Sequence, residues 1–149
     1  MKRQIRQGVY ETASSSVHAI SYDPSGMRKN HLKMKRGYVI TDFGQFGTDF
    51  HIYETQDEKL SYLITQLYYI NHYSEDIEDM YEFSYIEKAI KEYDPRVLGI
   101  KVLKETIPEI DHQSQPSYSD EVRFVNYWDQ TSIQEFLFNK YIRIKTDCD

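Results

Sequence analysis

Thr55-Gln-Asp-Glu-Lys-Leu-Ser-Tyr-Leu-Ile-Thr-Gln-Leu-Tyr-Tyr-Ile70 is the stretch on which the fold turns. Thr55 and Glu58 have capping-box spacing: the threonine hydroxyl takes a free backbone N–H of the first turn, and the glutamate reaches back to the cap. Leu60, Leu63, Ile64, Leu67 and Ile70 then recur at helical spacing and share one face. Tyr62, Gln66, Tyr69 and Tyr73 fall on the opposite side of the same wheel, so they are expected to face outward.

Downstream the pattern stays helical. Ser74 reads as the next cap, with Glu75 and Asp76 in the first turn where the helix dipole favours acids. Ile77, Met80 and Tyr81 cluster on one side, while Ile86, Ala89 and Ile90 fall nearly opposite. One straight helix cannot bury both sets, so the phase predicts two short helices, the second capped by Ser84 with Glu87 and ended by Asp94-Pro95. Glu75, Glu78, Asp79 and Glu82 share a face opposite Ile77 and Tyr81.

Before this region the chain reads as β-structure. Asp23-Pro24-Ser25-Gly26 has turn chemistry and predicts a hairpin of Val17–Tyr22 with Met27–Met34. Arg36-Gly37 breaks the second strand before Tyr38–Asp42, and Thr48–Tyr53 follows a loop punctuated by Gly44 and Gly47. After it, Val97–Leu103 and Val122–Trp128 read as strands separated by a long loop over 105–121. Ser132 and Glu135 form another capping box, opening a helix whose stripe is Ile133, Phe136, Leu137, Tyr141 and Ile144. The sum is a single α+β domain over 1–149: a mainly antiparallel sheet of five to six strands with three to four helices packed on it. Its parts are a basic β-rich region 1–53, an acidic helical region 54–94 and a strand–loop–strand–helix region 95–149.

Composition narrows the function classes. The chain has 149 residues, 40% hydrophobic and 28% charged, which suits a folded core rather than disorder. It holds no apolar run long enough for a membrane span. Met1-Lys2-Arg3 is not followed by an apolar signal core, so secretion is not expected. Cys148 is the single cysteine, which suits a reducing cytoplasm. The net charge of −6 hides a split. Residues 1–40 carry eight Lys/Arg against two acids, whereas 54–94 carry eleven acids against three lysines. Seven of the 14 tyrosines also lie in 54–94. Tyr62, Tyr69, Tyr73, Glu75, Glu78, Asp79 and Glu82 therefore form the expected partner-binding surface: tyrosines bury area at low entropic cost, and carboxylates steer toward a basic protein. An acidic row can also stand in for phosphates in a nucleic-acid-binding groove. Direct nucleic-acid binding is disfavoured by the same charge.

A second constellation lies upstream. If 14–18 is extended, Ser14, Ser16 and His18 project from one face, and Ser16 comes within reach of the His18 imidazole. They are the candidate catalytic residues, with no third member nameable among the many acids. Alternatively, Ser14, Ser15 and Ser16 with Arg28, Lys33 and Lys35 form a phosphate or nucleotide site, or the serines are simply the polar face of a strand. No Walker loop, Gly-x-Gly-x-x-Gly or paired-histidine signature occurs, and no metal or cofactor is expected; His72, Glu75, Asp76 and Asp79 read as a charge cluster at a helix start.

The segment Val9-Tyr-Glu-Thr-Ala-Ser-Ser-Ser-Val-His18 resembles the opening of uncharacterised proteins of phages and prophages of Gram-positive bacteria, Val-Phe-Glu-Thr-Asn-Ser-Ser-Ser-x-His. Val9, Glu11, Thr12, Ser14, Ser15, Ser16 and His18 match. Tyr10 replaces Phe, and Ala13 replaces an Asn whose amide could have bonded backbone or ligand. The resemblance covers residues 8–20 and implies a mobile-element origin without naming an activity. The expected function is an accessory protein that binds and inhibits a host or defence protein. The alternatives are a small nucleotide- or phosphate-handling protein, possibly enzymatic in the case of the Ser/His site, and a homo-oligomeric structural protein.

Overall fold

A computed structural model describes residues 18–22, 31–47, 51–110 and 125–146. Its strands are β1 (His18–Tyr22), β2 (Met34–Lys35), β3 (Tyr38–Thr41), β4 (Gln45–Phe46), β5 (His51–Tyr53), β6 (Gly99–Val102), β7 (Glu109–Ile110) and β8 (Ile142–Thr146); its helices are α1 (Gln56–Ile70), α2 (Tyr81–Tyr93) and α3 (Gln130–Phe138). A single 3₁₀ turn, Ile77–Asp79, precedes α2. The fold is α+β.

Helix α1 starts where the sequence puts it. Thr55 Oγ1 accepts from Glu58 N at 3.1 Å, and Glu58 Oε1 accepts from Thr55 N at 3.1 Å. What differs is its environment. Leu60, Leu63, Ile64 and Leu67 are buried as expected, but so are Tyr62, Thr65 and Gln66. The helix is enclosed on both sides, so the one-sided wheel that put Tyr62 outside is corrected. The second face is polar, and its groups are paired. Thr65 Oγ1 donates to Ser61 O and accepts from Gly44 N at 2.9 Å; Ser61 Oγ donates to Asp42 O at 2.8 Å. The Tyr127 hydroxyl donates a short bond to the Gln66 amide oxygen. Gly44 is needed for this approach, because a Cβ there would lie 2.7 Å from Phe46 Cε2 and 2.9 Å from Ser61 Oγ.

Instead of one antiparallel sheet of five to six strands, the described residues form three small sheets, ordered β1-β8-β5, β2-β3-β6 and β4-β7. The first is antiparallel. β3 pairs with β6 in parallel, and β4 with β7 in parallel. Parallel partners need a long crossover, and α1 and α2 supply it. The expected hairpin around 23–26 lies partly outside the described residues. Of its two arms, β1 pairs with β8, and Met34 pairs with Val39.

The hairpin that does form joins β2 to β3 through Arg36 and Gly37, with φ of 54° and 87°. Two consecutive left-handed residues make the turn that matches strand twist. Sheet β2-β3-β6 ends at β6, whose outward Ile100 N–H is taken by Glu87 Oε2 at 2.9 Å. A helix carboxylate thus satisfies a strand-edge donor.

Three further expectations are corrected. The helix break falls at Met80, not Ser84: Ser84 lies inside α2, its Oγ donating to Tyr81 O at 2.6 Å, and the first of the two expected helices is only the 3₁₀ turn. Phe83, Ile86 and Ile90 make one buried stripe once α2 starts at Tyr81. The expected strand Val122–Trp128 is a turn over 125–128, its first residues being outside the described set. Finally, α3 is capped by Asp129, which accepts from Thr131 N at 3.0 Å, while Ser132 Oγ accepts from Asn126 N. That helix ends at Phe138, and Ile142–Thr146 is strand β8 with Ile142 and Ile144 buried. Ile-Arg-Ile-Lys alternates with period two, a pattern that places Ile144 in a sheet as readily as on a helical stripe.

Gly37→Ala meets both a positive φ and Leu98 Cδ1 at 2.8 Å from the new Cβ. Urea unfolding should show a loss of about 1–2 kcal/mol, whereas Arg36→Gly should be neutral or slightly stabilising.

Candidate functional site

Helix α1 ends in a tight reversal that sets the candidate surface. Tyr73 N donates to Tyr68 O at 2.9 Å and His72 N to Tyr69 O at 3.2 Å, the two bonds of a Schellman motif around the Asn71 cap. The motif prefers glycine, yet His72 and Tyr73 hold φ of 58° and 65°. Each left-handed non-glycine costs on the order of 1 kcal/mol, and the reversal carries the Tyr73 ring out to 63% exposure.

The three tyrosines expected to share the outer face have three different fates. Tyr62 is fully buried, its ring edge-on to Phe46 at 5.0 Å. Tyr69 is half-buried and its hydroxyl accepts from Ile110 N at 3.0 Å, tying α1 to β7. Burial pushes its phenol pKa up, and the Ile110 bond pulls it partly back. Only Tyr73 is freely exposed. It closes a mutual edge-to-face cluster with Tyr68 and Tyr69, at centroid separations of 5.2–5.9 Å.

The acids follow directly. Ser74 Oγ accepts from Asp76 N, Asn71 Nδ2 donates to Asp76 O, and buried Ile77 pins the 3₁₀ turn to the core. Glu75, Glu78 and Asp79 are exposed and Glu82 is half-exposed at the start of α2. Glu78 bonds Lys104 Nζ at 3.0 Å. Among the described residues no cation pairs with Glu75, Asp79 or Glu82. No set of three His, Cys, Asp or Glu side chains among the described residues is placed to hold a metal ion.

Sequence reasoning placed Tyr81 inward with Ile77 and Trp128 on a strand, and so missed an aromatic group. Tyr81 is 73% exposed and Trp128 57%. The Trp128 ring meets Tyr85 at 5.1 Å and Tyr81 at 6.4 Å. Asn126 Oδ1 accepts from Trp128 N, fixing the turn that presents the indole. Asn126 and Asp129 flanking the tryptophan were the available signal, since both favour turns and caps.

The Ser/His alternative is mostly out of view. Ser14, Ser15, Ser16 and Arg28 lie outside the described residues; His18 is described only as strand backbone opposite Thr146. Lys33 and Lys35 are exposed, and the Lys33 backbone N–H donates to Asp57 Oδ1 at 2.9 Å.

A lysine the sequence did not single out is instead at the centre of a polar junction. Lys59 is 1% exposed and donates to Ile142 O at 2.8 Å and Asn139 O at 3.1 Å, binding α1 to the α3–β8 connection. Burial lowers its pKa to about 8, with Glu54 opposing the shift. It also lines a cleft of about 390 Å³ whose floor includes Leu32, Met34, Ile90, Val97 and Leu137. Carboxylates and cations both rim that cleft: Glu54 and Asp94 on one hand, Arg96 and Lys140 on the other.

No helix among the described residues is long and apolar enough to cross a membrane. Comparison with protein-family models, with curated proteins and with solved structures finds no significant match.

Two stability measurements separate these roles. Tyr62→Ala should cost about 3–5 kcal/mol as a core truncation, whereas Tyr73→Ala, which loses the edge-to-face contacts with Tyr68 and Tyr69, should cost about 0.5–1.5 kcal/mol, both read by urea unfolding. For Lys59, the folded chain releases its proton before the unfolded chain does, so its contribution to stability rises as pH climbs from about 8 toward 10.5. Relative to Lys59→Met, the native chain should gain roughly 2 kcal/mol between about pH 7.5 and pH 10; parallel curves for the two proteins would contradict the buried-charge assignment.

Proposed function

We propose that the chain is a non-enzymatic accessory protein that docks on a host or defence protein through the acidic, aromatic surface of 73–82 and blocks that protein's nucleic-acid or effector function. The observation that carries the reading is the coexistence, in one short stretch, of exposed rings and carboxylates that no described cation pairs. Tyr73 and Tyr81 stand in solvent, and Glu75, Asp79 and Glu82 lack a cationic partner among the described residues. Exposed rings give contact area at little entropic cost, and carboxylates around them favour a basic partner and speed the encounter.

The surface is also held in shape before any partner arrives. Ile77 is anchored in the core, the Schellman bonds fix the 71–73 reversal, and α2 begins directly afterwards. A preorganised surface spends less of its binding energy on ordering. The resemblance of residues 9–18 to phage and prophage proteins supports a cellular host as the source of the target. Compared with the sequence-based surface, Tyr62 leaves the set, Tyr69 becomes a support for Tyr73, and Tyr81, Tyr85 and Trp128 join it.

The test is affinity capture from host lysate followed by mass spectrometry. Joint Glu75→Lys, Glu78→Lys, Asp79→Lys and Glu82→Lys substitution should weaken capture of a basic-surfaced protein by roughly a hundredfold or more while leaving the circular dichroism spectrum intact. Capture that survives charge reversal removes this reading.

A further inference from the structure

The docking surface contains a feature more specific than negative charge. Trp128 is the chain's single tryptophan, and more than half of it faces solvent. It is nevertheless not loose. Its backbone N–H is held by Asn126 Oδ1 at 3.0 Å, Asp129 N closes the turn on Asn126 O at 3.1 Å, and Asp129 then caps α3. Half-buried Tyr85 meets the indole at 63°, and Tyr81 stands 6.4 Å away at 41°. Three rings thus form an open corner at the first turns of α2.

Among the described residues, the chain neighbours of that corner are acidic. Asp79 precedes Tyr81 by two residues, Glu82 follows it, and Asp129 follows Trp128. Lys88, three residues beyond Tyr85 on α2, is the nearest cation along that helix. Among the described residues, the ammonium groups that lie over aromatic rings are Lys59 on Phe136 and Lys140 on Tyr141, so no cation covers Trp128, Tyr81 or Tyr85.

We propose that the Trp128–Tyr85–Tyr81 corner is a receptor for an arginine side chain of the partner, the guanidinium stacking on the indole while Asp79 or Glu82 takes its N–H groups. This rests on the reading of the acidic surface as a docking site and names the side chain it recognises. Arginine fits better than lysine for two reasons. Its planar, weakly hydrated guanidinium stacks on rings, and its fork of donors pairs with a carboxylate in two bonds at once. A nucleic-acid base would also stack, but its phosphates would meet the carboxylates. A purely apolar segment would leave those carboxylates desolvated and unpaired.

The sole tryptophan reports on its own site. Blocked Gly-Arg-Gly-Arg-Gly peptide, titrated into the full chain, should change Trp128 emission saturably, and the matched lysine peptide should bind at least about fivefold more weakly. Joint Asp79→Asn and Glu82→Gln substitution should weaken the arginine peptide, Lys88→Glu should tighten it, and calorimetry on Trp128→Ala should show the arginine preference lost. Equal affinity for the two peptides, or no emission change at saturation, overturns the inference, even if charge reversal of the four acids abolishes capture of the natural partner. An arginine preference sensed by Trp128 and removed in Trp128→Ala upholds the receptor, even if charge reversal leaves that capture intact and thereby removes the docking role.

Discussion

The structure depends on a helix with buried residues around most of its circumference. A surface helix has to satisfy one apolar stripe. Helix α1 must also seat the hydroxyls of Ser61 and Thr65, the amide of Gln66, the phenol of Tyr62 and the ammonium of Lys59 out of water. An unpaired polar group there would cost about 1–3 kcal/mol, and more for a charge. The neighbouring segments are accordingly placed by hydrogen bonds as well as by packing: 42–44 through Ser61 and Thr65, Tyr127 through Gln66, and the α3–β8 connection through Lys59. The three small sheets are arranged around this rod instead of forming one continuous layer.

That arrangement explains what could be read from the residues and what could not. Capping boxes and turns are local, so Thr55 with Glu58, the break at Arg36-Gly37 and the strand around Gly99–Val102 were legible. Helical phase separates Ile77 from Ile86, Ala89 and Ile90, but the first expected helix is only a 3₁₀ turn and the serine at 84 is a misleading punctuation mark. Ser84 bonds back to Tyr81 O from inside the helix, as serine does when it is not a cap. Strand pairing is not local. Nothing in Tyr38–Thr41 announces a parallel partner some sixty residues away, and the period of Ile142–Ile144 was absorbed into a helical stripe.

The candidate surface was legible in part, for the same reason. The carboxylates of 75–79 are exposed, and that of Glu82 partly so, because too many lie too close together to be buried. The tyrosines could not be sorted from a helical wheel, since a wheel assumes a single buried side. Tyr62 went to the core, Tyr69 became a bracket to β7, and Tyr73 alone remained on display. Helical phase puts Tyr81 inward with Ile77 and period-two alternation puts Trp128 on a strand, and their positions depend on where a helix and a turn begin, by a margin of a few residues.

The place of β8 has a consequence for biosynthesis. It is the middle strand of its sheet, with β1 on one side and β5 on the other. Both neighbours leave the ribosome about a hundred residues before it, and contacts of such sequence separation close slowly. Until Ile142–Thr146 arrives, the nascent chain holds two strands without the partner they share, and the Lys59 ammonium without one of its two carbonyls. That interval is when chaperones have the most to bind and proteases the most to cut.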